Sequence, residues 1–382
     1  MGAKSKVFSA GIWAVLVLGL GLGSGHRALA HPEQLGEFRL KEFVLRPSLA
    51  VTRSESSAQL SLGQSSLAWG WILTPPNPRG RAYQPELSAQ FRVGDSSLRS
   101  PPLMHPQKER RGELQLTFVE AFGVLSGIYG ELSLGLLPLN YALEGAMGEG
   151  ELLLPRSQLF SERVVGLRDH GVSWRSSYNG YFTQQTIHQG RNEMSRQGAW
   201  WYTGTWGWRE ARGRMLMGLS AQKARLVAGE SLEEEGSGPE AEMRARIGGA
   251  FLGFDPALGS QWQMGSLFLS VGQLTQSWQL KTQWTYGRRL QEGLPDSQRT
   301  STFQAFNLDL SYAWADRWLA LARFDRLQDL RFWTAGVALR SHQDTSTWIF
   351  LFSEQMQASG RPDQKERRAE ILWRIFPLAH SL

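Results

Sequence analysis

Arg244, Arg246, Lys281, Arg323 and Arg340, with Glu242, Asp309 and Asp325 among them, fall on every second position of segments whose other positions are apolar. Charges placed so share one face of an extended strand. If that face surrounds water, they set a transverse field and bias passage between anions and cations. The alternative, equally open on the residues alone, is that they pair with one another and support a wall. Catalysis has thinner material. Among the few histidines, His170 beside Asp169 is the best candidate for acid–base work, but Gly-x-Ser-x-Gly is missing and His170 reads equally as a strand start. The run Glu233-Glu234-Glu235 is the sole hint of metal binding, and a charge run in a loop is usually solvated. No zinc spacing, EF-hand pattern or phosphate-cradling loop occurs, and no cofactor is implied.

The elements that must hold such residues are strands. Between Thr302 and Phe324, Phe306, Leu308, Leu310, Tyr312 and Trp314 fall on one face, with Asn307, Asp309 and Ser311 on the other. After the turn Ala315-Asp316-Arg317, Ala320, Ala322 and Phe324 oppose Arg323 and Asp325. A soluble sandwich would turn the apolar face to a core. A transmembrane barrel turns it to lipid and keeps the polar face for the lumen.

About seventeen strand-like segments follow residue 30. Bacterial barrels have even strand numbers, so one segment is in excess, and about sixteen strands are expected within a range of fourteen to eighteen. Glu242 to Phe254 is among the seventeen, and counting back from a periplasmic C-terminus places the acidic loop Leu232 to Glu240 on the short-turn side, against the expected asymmetry. Pro138 to Arg168 shows no clean alternation, and a loop of that length is the one to fold inward as a constriction. Trp200, Trp201, Trp206, Trp208, Trp314, Trp318, Trp333 and Trp348 lie near segment ends, where interfacial aromatic girdles belong; packing in a soluble core is the other reading.

Composition narrows the class. Residues 1 to 30 have a basic start, an apolar run and the ending Ala28-Leu29-Ala30, the pattern of a signal peptide cleaved before His31, with an N-terminal membrane anchor as the alternative. The formal charge of +6 loses Lys4, Lys6 and Arg27 with that segment, leaving +3, which does not argue for nucleic acid. There is no cysteine, so neither disulfide nor thiolate metal site supports an exported chain. After residue 30 no apolar run reaches the roughly 18 to 20 residues of a spanning helix. The 41 Gly, 16 Trp and 18 Phe suit a barrel with alternate residues facing water.

The late run Trp318-Leu-Ala-Leu-Ala-Arg-Phe-Asp325, with Leu310-Ser-Tyr-Ala-Trp314 before it and Trp333-Thr-Ala-Gly-Val337 after, resembles the late strands of phosphate-selective porins and related outer-membrane porins. Gly135-Leu-Leu-Pro-Leu-Asn-Tyr-Ala-Leu-Glu144 is similar to the entry into their long loop, and Arg168-Asp-His-Gly-Val-Ser173 to the strand start after it. The resemblance runs from about Glu113 to Gln343. It implies an all-β, transmembrane antiparallel β-barrel of the Gram-negative outer membrane, passing small hydrophilic solutes or ions, set in lipid and lipopolysaccharide, with a homotrimer as family analogy. The chain departs from the family in ending Pro-Leu-Ala-His-Ser-Leu after Phe376, and in lacking the basic loop ladder tied to phosphate. The solute, the ion preference and the role of residues 31–110, strands or plug, are not carried by the resemblance.

Overall fold

The computed structural model describes residues 37–53, 58–61, 66–74, 84–95, 114–145, 152–161, 164–166, 168–189, 200–226, 260–273, 277–293, 295, 299–341, 346–357 and 366–375. The leader reading of residues 1–30 lies outside them. Eighteen strands form one antiparallel sheet. They are β1 (Glu37–Arg46), β2 (Ser48–Arg53), β3 (Ala58–Ser61), β4 (Ser66–Thr74), β5 (Gln84–Asp95), β6 (Leu114–Gly127), β7 (Gly130–Pro138), β8 (Arg168–Tyr178) and β9 (Tyr181–His188). The later ones are β10 (Trp200–Arg209), β11 (Met215–Leu226), β12 (Ser260–Gln273), β13 (Trp278–Gln291), β14 (Thr300–Ala315), β15 (Trp318–Leu327), β16 (Leu330–Arg340), β17 (Ser346–Gln357) and β18 (Glu366–Ile375).

From β4 onward each strand pairs with its successor, and the last returns to the first. β18 pairs with β2 from Arg367↔Arg53 to Leu372↔Ser48, and the same register reaches Leu45↔Ile375 in β1. β1 and β2 are therefore one stave interrupted at Pro47. Its other edge carries β4 along β1 and β3 along β2. Counted this way the eighteen strands make sixteen staves, an even number as closure requires. Residues 31–110 thus contribute staves through their described part.

The excess segment is now identified. Glu242 to Phe254 lies outside the described residues, and β11 pairs directly with β12, from Met215↔Val271 to Leu226↔Ser260, so the ladder has no place for a stave between them. Without it, Leu232 to Glu240 joins the side where the long connections gather: 139–167, 189–199, 227–259, 292–299 and 358–365. The opposite side has short turns at 128–129, 179–180, 210–214, 274–277, 316–317 and 341–345, and one longer connection at 75–83. Gln328–Asp329 is a tight turn on the long-loop side, made with Gln328 at φ 56.

Alternation sorts the two faces. On β14, Asn307, Asp309 and Ser311 are buried inside, while Leu310, Tyr312 and Trp314 are exposed outside. On β15, Arg323 and Asp325 point in, and Trp318 and Ala322 point out. The outer aromatics pack across strands: Trp314 stacks on Trp318 at 6.0 Å, and Trp348 on Trp373 at 4.8 Å. Trp201 departs from the expected girdle. It points inward, is 2% exposed and lies 5.9 Å from the His188 ring, because Thr203 and Thr205 fix its parity on the lumen side.

The connection from β7 to β8 folds into the barrel. Its two short helices, α1 (Ala142–Gly145) and α2 (Gln158–Ser161), lie against the inner wall. Two apolar clusters hold them. In one, Tyr141, Leu143, Leu159, Phe160, Val164 and Val165 pack on inward residues of β10 to β15, among them Trp201, Trp262, Phe268 and Phe303. In the other, Leu154 packs on Leu319, Leu321, Ile349, Leu351 and Leu372. Each fully buried side chain of this size contributes about 1.5–3 kcal/mol. Gly287 makes room for the first cluster: the Phe303 ring lies where its Cβ would stand.

Candidate functional site: the inward loop and the lumen wall

The inner wall is built of hydroxyl and amide side chains that bond across strands. Ser173 Oγ meets Thr186 Oγ1 at 2.9 Å, Thr205 Oγ1 meets Ser220 Oγ at 2.7 Å, and Gln222 Nε2 donates to Thr203 Oγ1 at 3.0 Å. The loop docks on this ladder where the chain leaves β7. The Ala142 N–H donates to Ser220 Oγ at 2.8 Å, Asn140 Nδ2 donates to Gln184, and Thr205 Oγ1 donates to the Asn140 carbonyl. Tyr141, between them, is fully buried, and burial pushes its phenol well above the ordinary tyrosine range.

A second fastening is ionic. The β13–β14–β15 register sets Lys281 opposite Asp309 and Asp309 opposite Arg323. Arg323 grips Asp309 with two parallel bonds, Nε to Oδ1 and Nη2 to Oδ2, both 2.5 Å. Its Nη2 also reaches Glu144 Oε1 of α1 at 2.6 Å, and its Nη1 donates to the Pro155 carbonyl. The other Glu144 oxygen accepts from Ser157 N at 2.8 Å and Ser157 Oγ at 2.6 Å, while the Gln158 N–H donates to Asp325. Arg323 and Glu144 are 5% and 3% exposed, so this network lies out of water. Such a pair is stable only with its hydrogen bonds complete, and here they bind both ends of the inward loop to one spot on β14–β15.

The eight charged residues singled out by spacing thus separate. Asp309, Arg323 and Asp325 come together in the buried network. Lys281 is half-buried beside it, and Arg340 is half-buried on the inner face at the short-turn end of β16. Arg244 and Arg246 lie outside the described residues, as do Glu242 and the Glu233–Glu235 run. Sequence reasoning missed Glu144, which supplies the loop's half of the network, and Arg175 with Glu131. These two are register partners on β8 and β7, point inward and are exposed. Strand parity alone would have found the latter pair.

Asp169 does not work through His170, whose side chain points outward and is exposed; only the His170 N–H donates to Asp169, at 2.8 Å. Its inward partner is His188, Nδ1 to Oδ2 at 2.8 Å, with His188 Nε2 on Thr203 Oγ1 at 2.9 Å. All three are 4% exposed or less. They tie β8, β9 and β10 where the chain re-enters the sheet.

No protein-family model matches the sequence, and no curated protein matches it in sequence. Solved structures do match in fold. An anion-selective porin from Comamonas acidovorans superposes with a TM-score of 0.61 at 12% identity, over 89% of this chain and 100% of that one. OmpT, an outer-membrane protein of Vibrio cholerae in its trimer form, gives 0.58 at 10% identity, over 89% and 99%. The outer-membrane channel DcaP of Acinetobacter baumannii gives 0.59 at 8%, over 92% and 99%. At these identities what the chain shares with them is the transmembrane β-barrel fold.

Proposed function

We propose that this chain is a porin of the Gram-negative outer membrane, a water-filled channel through which small hydrophilic solutes or ions diffuse passively. The observation that carries the reading is the uneven exposure of the inner face. Inward side chains at the level of the loop are mostly buried, on β8 and β9 (Ser173, Thr186) as on β10 to β18, whereas Glu131, Arg175, Ser177 and Arg209, at the short-turn ends of β7, β8 and β10, point inward and are exposed. The inner face therefore opens to water at the short-turn end and narrows at the level of the loop. The same folds, in proteins described as an anion-selective porin and an outer-membrane channel, support the reading. The trimer form of a third supports a trimeric assembly.

In this reading Asp309, Arg323 and Asp325 hold the loop, and Arg175, Glu131, Lys281 and Arg340 border the water path, joined by Arg244 and Arg246. Purified, folded protein in planar bilayers should give stepwise ion currents; a folded protein without current leaves a structural or adhesion barrel. Replacing Arg244 and Arg246 by Gln and reading the reversal potential shows whether they contribute to selection. A lipid-acting enzyme has no access to the buried Asp169–His188–Thr203 chain, and lipid hydrolysis that is lost in His188→Gln would overturn that statement.

A further inference from the structure

Between the loop and the short turns, the lumen wall carries a ring and two cations that none of the fastenings above uses. Among the described inward aromatic side chains of β7 to β18, Trp201, Trp262, Phe268, Phe303 and Phe332 are buried, and Phe182 on β9 alone is half-buried. It packs on the edge of the first apolar cluster, and its ring lies where a Cβ of Gly207 on β10 would stand. A side chain at 207 would push the ring off the wall. With glycine there, the ring leans across the neighbouring strand and its open part meets the water of the short-turn mouth.

Two arginines flank this ring. The direct partners of Phe182 are Ser177 on β8 and Gly207 on β10. Arg175 stands two residues before Ser177, and Arg209 two residues after Gly207, so both are diagonal neighbours of Phe182 on the same face. Diagonal neighbours are roughly 7–8 Å apart, within reach of long side chains. β8 and β10 both run toward the short turns, which puts Arg175 nearer the loop and Arg209 nearer the mouth, with the ring between them. Both arginines are exposed, and neither has an ion pair among the described residues. Glu131, the direct partner of Arg175, lies on the side away from Phe182. Leu216, the direct partner of Arg209, is half-buried and extends the apolar surface beside it.

These groups ask for one kind of solute. An arginine fork matches the two oxygens of a carboxylate. A half-open phenyl face gains most from a second ring, stacked with an offset or edge-on, which is worth about fivefold in affinity. A bare inorganic anion would use the arginines and leave the ring idle, and a neutral polyol would use neither. We infer that the short-turn mouth holds a subsite for small aromatic carboxylates, with their ring on Phe182 and their carboxylate on Arg209 or, one step nearer the loop, on Arg175. The inference rests on the channel reading above and deepens it by naming a class of solute.

The test is fluorine NMR of the full-length folded barrel in detergent micelles, titrated separately with para-fluorobenzoate, fluoroacetate and para-fluorobenzyl alcohol, with protein-free micelles as the blank. Para-fluorobenzoate should bind saturably and about fivefold more tightly than fluoroacetate, the worth of the ring. It should bind about tenfold more tightly than the alcohol, the worth of a hydrogen bond to a charged group. Phe182→Leu should abolish the preference for the aromatic acid and leave fluoroacetate as it was. Arg209→Gln should weaken both acids about tenfold and keep their ratio. Heat-modifiable migration shows that each variant is folded, and the ranking of the three probes on the parent protein decides without them. Equal binding of the two acids, binding of the alcohol as tight as that of para-fluorobenzoate, or an unchanged preference in folded Phe182→Leu overturns the proposal. Binding is read here without current. A barrel that ranks the probes as stated but passes no chloride in planar bilayers would sink the channel reading and leave the subsite standing, whereas chloride current without that ranking would do the reverse.

Discussion

Arg323 is held by two carboxylates and a carbonyl in a place nearly free of water, and the consequence is asymmetric. Removing it leaves Asp309 and Glu144 buried without their cation, a loss of about 3–5 kcal/mol for a buried pair broken on one side. Arg323→Gln should therefore release the loop while the sheet stays closed: channel currents become larger and noisier, and limited proteolysis cuts within 139–167 faster. Arg175 offers the contrast, since it is exposed and makes no described contact. Arg175→Gln should leave conductance steady and shift the reversal potential toward cations, and Glu131→Gln should shift it toward anions. Alternate spacing was enough to put Asp309, Arg323 and Asp325 on the inner face. It could not say that Glu144, 179 residues before Arg323, would meet them, because the loop's path is set by tertiary packing.

At the level of elements, β14 and β15 were the plainest in the sequence because one face is wet and the other greasy. The β17 segment Thr347-Trp-Ile-Phe-Leu-Phe352 shows no such alternation. Ile349 and Leu351 are buried under the loop, and Trp348, Phe350 and Phe352 face outward, so both sides are apolar. A barrel strand greasy on both faces marks where something covers the lumen, and the same doubling in Leu319-Ala-Leu321 marks the second cluster. The loop's own apolar residues have no strand period and gave no path. Phe160→Ala should cost the loop about 3–5 kcal/mol at most. The outcome to look for is faster proteolysis within 139–167 with unchanged heat-modifiable migration; a simultaneous loss of that migration would mean the loop supports the whole barrel.

For the molecule as a whole, parity and turn chemistry led to a barrel of about sixteen strands, and sixteen staves are found. The single surplus, Glu242 to Phe254, alternates Glu242, Arg244 and Arg246 against Met243, Ala245 and Ile247 as a strand would. Alternation shows that a segment can sit at a boundary between oil and water; only the direct pairing of β11 with β12 shows that no stave lies there. Closure through β18 also makes a prediction. Deleting residues 366–375 removes the strand that bonds to both β17 and the β1–β2 stave, leaving two open edges. The truncated chain should lose heat-modifiable migration and aggregate. The central claim, a closed wall with a loop that narrows but does not fill it, is tested most directly by single-channel recording on the purified, heat-modifiable protein in planar bilayers. Discrete, ohmic current steps that increase when Arg323 is replaced by Gln are the predicted result. A folded protein that passes no current with the loop fastened or released would contradict it.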